Sequence, residues 1–243
     1  LYPDYGGLTI TNGARLTLGA CDSIYMGTGG KTFALTVADG ALKVPGSSTM
    51  NLYMGNGGGD VTVSVGGGGA PALIEVDRDT ILANSGGSVG AMTVGSGGAV
   101  YNSNGWFYAA NNIGAQAQVT VNGGTVGFRT ADKDFVVNVN GARGEVTVNS
   151  GLISATGSFK WSGNLSTNVS YGAVCLNGGT IEAKRFFGET TAGTNLLYLN
   201  GGTVKARDSQ AGFMYNLTAA YMRSGGATFD VPSGATVTAA QPL

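Results

Sequence analysis

An apolar–x–apolar triplet recurs along this chain. It reads LTI at Leu8, LTV at Leu35, VTV at Val61, MTV at Met92, VTV at Val119, VTV at Val146, VCL at Val174, LYL at Leu197 and FDV at Phe229. Successive anchors lie 27, 26, 31, 27, 27, 28, 23 and 32 residues apart. Side chains on a strand point alternately to its two sides, so each triplet predicts a strand with one buried face. The regular interval predicts that the strand belongs to a repeating unit. The middle position is threonine at Thr9, Thr36, Thr62, Thr93, Thr120 and Thr147. Threonine is therefore expected outside, with the flanking Val, Leu, Ile and Met inside.

Two further elements complete the unit. After the triplet comes a bend and a second short alternation, as in NGGTVGF at Asn122, NSGLISA at Asn149, NGGTIEA at Asn177 and ADGALKV at Ala38. Asn and Gly adopt left-handed backbone conformations at low steric cost and mark corners. About eleven residues before each triplet stands an element that opens on a large apolar residue: Ile24, Leu52, Ile81, Phe107, Phe135, Trp161, Phe186 and Phe213. The N-terminal LYP reads as a shortened version of it.

A hairpin meander also produces many short strands, but a coil with three strands per turn stacks like residues on like residues. The pattern thus predicts one all-β domain over residues 1–243, a right-handed parallel β-solenoid of about nine turns, with handedness taken from the general rule for parallel crossovers. Nine turns at about 4.8 Å make a rod roughly 43 Å long. The VTVNGGTV and LYLNGGTVKA units resemble the parallel β-helix repeats of bacterial surface proteins, including autotransporter passenger regions. That resemblance spans nearly the whole chain. It implies an exported, surface-associated rod and no particular reaction.

Composition narrows the function classes. Only 11% of the 243 residues are charged, the formal net charge is −1, and histidine is absent. There is no clustered positive charge to recruit nucleic acid or an anionic membrane, and no apolar run of bilayer length. Without histidine, Ser-His and Cys-His nucleophile systems and His-dependent metal sites are excluded. Glycine is abundant at 44 residues, yet 42% hydrophobic content argues for a folded chain of short strands and many bends. The opening Leu1 without methionine, and a composition rich in Thr, Ser, Asn and Gly, lead us to expect a trimmed product of an exported precursor, located outside the cell or on its surface.

Candidate chemistry is sparse. In EVDRDT, an extended backbone would align Glu75, Asp77 and Asp79 on one face, as calcium ligands or as an acid–base pair for a glycosidic bond. The alternative is a solvated strand edge whose charges oppose aggregation. GNGGGDVTV at Gly55 lacks the tandem recurrence of calcium-binding nonapeptides, and no glycine-rich bend ends in a phosphate-loop Lys-Ser/Thr. No cofactor is expected. The threonine column is single, whereas ice-binding faces pair such columns, so a ladder chosen for β-propensity explains it better. The outward column of the early strand is predicted as Tyr25, Tyr53, Leu82, Tyr108, Val136, Ser162, Phe187 and Met214. Its aromatic members Tyr25, Tyr53, Tyr108 and Phe187, together with Tyr198 in the threonine column, form the candidate contact surface; the alternative is a column inside a wide core.

Cys21 and Cys175 fall about six turns apart, too far for a disulfide within one solenoid. Asn164, Asn168 and Asn216 open N-x-S/T sequons. Neither LYP at the start nor GATVTAAQPL at the end supplies a helical or charged cap. We therefore expect either a segment of a longer surface protein or head-to-tail association of uncapped ends into a homo-oligomer or polymer. The functional expectation is a non-catalytic rod, either assembled into a filament or surface layer or serving as an adhesive stalk that contacts cell-surface glycan. The alternative is a β-helix protein that binds or degrades polysaccharide.

Overall fold

Strand pairing at a separation of about 27 residues places each side chain beside its counterpart one coil away. The structure, a computed structural model, describes residues 5–19, 23–46, 50–161, 168–189 and 193–243. Their regular elements are all β-strands, paired in parallel and wound as a β-solenoid of about eight turns. Among the described residues no helix is long and apolar enough to cross a membrane.

Among the described residues three stacks run along the rod, each nine strands deep. The early stack begins with Ser23–Thr28 and Asn51–Asn56 and ends with Gln210–Tyr215 and Val237–Ala239. The central stack holds the triplets, from Gly6–Ile10 to Ala219–Met222, and the late stack runs from Arg15–Thr17 to Thr228–Asp230. Two long strands, Gln116–Phe128 and Arg143–Ser154, turn the corner between the central and late stacks without a break. Nine strands are separated by eight steps, so the first and last lie about 38 Å apart at the usual spacing.

The register differs from the anchors at two places. Val63, not Val61, pairs with Leu35 and Met92, so Ser64 rather than Thr62 continues the threonine column. The apparently long interval before Met92 is thereby an ordinary coil. At the C-terminal end Leu197 pairs with Ala220, while Phe229 pairs with Val204 in the late stack. An apolar–x–apolar motif cannot by itself distinguish these stacks, because both carry one.

The core is one continuous cluster running the length of the rod. At its centre Phe107, Phe135 and Phe159 stack at 4.8 and 5.0 Å, followed by Phe186 at 5.8 Å and, edge-on, Phe213 at 5.3 Å. In the early stack the inward column contains Thr80 where Ile81 was expected, and Phe159 where Trp161 was expected. Trp161 is also fully buried, one inward position further along the strand. Met214 pairs with Phe186, and Phe213 is buried beside it. Thr80 is tolerated inside because its hydroxyl meets the buried Asn102 side chain at 3.0–3.2 Å.

Corners are held by side-chain ladders. Asn149, Asn177 and Asn200 each donate an amide to the asparagine one coil earlier, giving the row Asn122–Asn149–Asn177–Asn200. A second row links Asn56, Asn84 and Asn111, each bond 2.8 Å long. In the first row asparagine supplies the ladder and glycine supplies the left-handed backbone, as at Gly179 with φ of 68°.

Candidate functional site

The outer face of the early stack is where aromatic and charged side chains gather. Strand register defines its column as Tyr25, Tyr53, Ile81, Tyr108, Val136, Lys160, Phe187 and Tyr215. The expected residues Tyr25, Tyr53, Tyr108 and Phe187 all lie in it, on the outside and half-buried. Leu82 and Met214 do not: both point into the core, and Ile81 and Tyr215 take their places. Lys160 replaces Ser162, which lies outside the described residues.

Ring geometry decides what this column can do. Tyr25 and Tyr53 stack at 4.9 Å with planes 6° apart, and Phe187 and Tyr215 do so at 5.0 Å and 6°. Rings stacked in this way cover one another's faces, and the Tyr53 hydroxyl accepts the Asn51 amide at 3.1 Å. Ile81 and Val136 lie buried beneath their larger neighbours. The aromatic column is therefore a coil-to-coil ladder more than an open platform.

Around Tyr108 the ladder gives way to a charged group. Lys160, almost fully buried, pairs with Asp134 at 3.0 Å and Glu189 at 3.7 Å, and its ammonium sits 4.4 Å from the centre of the Trp106 ring. Asp134 also accepts the Ser158 backbone N–H at 2.7 Å. Burial, then the negative charges of Asp79, Asp134 and Glu189, with a further contribution from Tyr53, push the Tyr108 phenol well above its ordinary value of 10.0. Tyr108 thus stays protonated and does not serve as a base. Sequence reasoning missed Trp106, Lys160, Asp134 and Glu189. The one available signal was a lysine within an otherwise apolar strand, SFKW.

Glu75, Asp77 and Asp79 are separated by a corner. The strand Ala72–Val76 ends before Asp77, and Thr80–Ala83 begins after Asp79, so the extended backbone assumed for EVDRDT does not exist. Glu75 stands on the late face, paired with Lys43 at 2.7 Å and Arg129 at 3.7 Å. Asp77 accepts the Asn104 amide at 2.8 Å, and Asp79 accepts the Trp106 backbone N–H at 2.8 Å. Among the described residues no group of three acidic or cysteine side chains is placed to hold a metal ion.

The central face forms a second region of interest. Its outward column runs Thr9, Thr36, Ser64, Thr93, Thr120, Thr147, Cys175, Tyr198 and Tyr221. Tyr198 and Tyr221 stack at 5.3 Å, and the Arg223 guanidinium lies 4.9 and 5.5 Å from their ring centres. Cys175 is a free, half-buried thiol whose pKa is raised by burial and by Glu145, against the opposing effect of Arg223. Cys21 lies outside the described residues, as does the sequon at Asn164; Asn168 and Asn216 are exposed.

Geometry defines the chain as a parallel β-solenoid. No known protein family, curated protein or solved structure matches it.

Proposed function

We propose that this chain is a non-catalytic structural rod of the bacterial surface-protein type, located outside the cell, acting as a filament or layer subunit or as a stalk. One observation carries this reading: side chains with chemical potential on the outer faces are engaged in bonds between coils. Tyrosine rings stack on tyrosine rings, asparagine amides form rows, and Lys43–Glu75, Lys160–Glu189 and Lys205–Glu182 pair charges across neighbouring coils. Nearest-neighbour bonds of this kind stiffen a solenoid along its axis. Among the described residues Gly6–Ile10 and Ala219–Met222 each pair with one strand, and a strand edge of this kind offers backbone groups for self-association.

Light scattering on size-separated protein over a range of concentrations, followed by negative-stain imaging, tests this. Mass that rises with concentration, together with thin straight particles, is expected. A compact particle in place of a straight rod, or release of reducing ends from a polysaccharide, rejects the reading, and a straight rod that stays monomeric at every concentration leaves only its stalk form.

A second reading, a polysaccharide-binding or polysaccharide-degrading protein, draws support from Trp106, Tyr108, Lys160, Asp134 and Glu189. Because Lys160 pairs with both carboxylates, the group suits binding better than acid–base chemistry. Lys160→Met should abolish any cleavage if this group performs it.

A further inference from the structure

The central face carries small hydroxyls through Thr147 and then changes character. Beside Tyr198 and Tyr221, Arg223 is held along two aromatic rings. Three other cations over rings are also answered by carboxylates: Arg129 over Tyr101 pairs with Glu75, Arg143 over Tyr171 pairs with Glu145, and Lys160 over Trp106 pairs with Asp134. Arg223 differs. Among the described residues it has no carboxylate within ion-pair distance, and its side-chain partners are the two rings.

A guanidinium held against aromatic faces is already oriented, so binding an anion costs it little further rotamer freedom. Its five N–H donors match a carboxylate in a bidentate fork. Around it, Cys175, Asn177, Tyr198, Asn200 and Ser224 line a shallow notch of about 580 Å³. Amides, hydroxyls and a ring beside a single uncompensated arginine constitute a chemistry for a sugar that carries a carboxylate.

We propose that this notch binds the carboxylate-bearing sugars of an anionic polysaccharide, with Arg223 taking the carboxylate. The asparagine row supports a chain rather than a single sugar. Asn177 and Asn149 continue from Asn200 along the rod at about 4.8 Å per coil, and each amide, having given one N–H to the row, keeps its second for a sugar hydroxyl. That step is comparable to the length of one sugar unit. An acidic peptide would satisfy Arg223 but offers no dense hydroxyls to these amides. The inference goes beyond the rod reading, which stands whether or not the notch binds sugar.

Titration calorimetry with trigalacturonate, on the chain of residues 1–243, tests the proposal. Saturable binding is expected, weakened by salt, with neutral galactotriose about tenfold weaker. Arg223→Gln should lose about tenfold or more, and Arg223→Lys several-fold through loss of the fork. Arg143→Gln, which removes a paired arginine of the same face, should leave affinity within about twofold. The proposal is overturned if trigalacturonate does not bind at millimolar concentration, or if Arg223→Gln binds like the parent. Equal or tighter binding of oligoglutamate or of a sulphated oligosaccharide also overturns it. Melting curves establish that each variant is folded, and should Arg223→Gln fail to fold, Arg223→Lys decides.

Discussion

Phe159→Ala is the sharpest probe of the continuous core. Phe159 is fully buried and touches three rings, with centroids 5.0 Å from Phe135, 5.8 Å from Phe186 and 5.2 Å from Trp161. Truncating a buried phenylalanine costs about 3–5 kcal/mol, the spread reflecting how well the site collapses. Collapse is poor here, because hydrogen-bonded strands above and below fix the coil spacing. Ring–ring attraction adds about 0.5–1.5 kcal/mol per pair, only partly independent of area. The upper end, about 5 kcal/mol, is therefore expected. Because stability in a solenoid is nearly a sum of coil and interface contributions, the loss should appear at two interfaces and weaken coupling between the two halves.

Urea unfolding followed by tryptophan fluorescence is well placed to detect this. The chain has two tryptophans, and Trp161 packs against Phe159, whereas Trp106 lies under Lys160 on the outer face. A large downward shift of the midpoint is expected, with a broadened or two-phase transition. Phe159→Leu should lose less than half as much. A loss below about 2 kcal/mol, with an unchanged sharp transition, would refute a core that couples coils through this stack.

Gly179 and Gly226 separate strain from crowding. Both have left-handed backbones (φ of 68° and 67°), but a methyl on Gly179 would lie 2.6 Å from the Gly151 carbonyl oxygen, whereas one on Gly226 meets nothing within 4 Å. Gly226→Ala should cost about 1 kcal/mol and Gly179→Ala about 2–4 kcal/mol by denaturant titration; equal losses would count against the crowded corner. Tyr108 supplies a pH dependence. Its folded-state pKa is raised above the unfolded value of 10.0, so its contribution is intact below pH 10 and is lost as pH rises further, because the unfolded chain releases the proton first. Tyr108→Phe should flatten the fall in melting temperature above pH 10, and an unchanged slope would contradict burial of the phenol among carboxylates.

What the pattern made legible, and what it did not, follows from how a solenoid uses side chains. Period and alternation reveal the three stacks, because burial repeats once per coil and inward positions such as Leu35, Val119 and Leu197 tolerate only apolar residues. Register to the residue is less legible, since either of two adjacent alternations can serve as an anchor. Val61 and Val63 illustrate this, and so do Ile81 and Thr80, where a buried hydroxyl paired with Asn102 breaks the apolar rule. The site is the least legible part. Lys160, Asp134 and Glu189 come from three successive coils, and no local spacing joins them. Glu75, Asp77 and Asp79, by contrast, are neighbours in sequence, and a corner disperses them. In a coil of this period, chemistry is gathered by residues about 27 apart rather than by residues two apart. Tyr198 is informative for that reason: its departure from threonine aligns with Cys175 and Tyr221 in adjacent coils, and the three together mark where Arg223 stands, among the described residues, without a carboxylate.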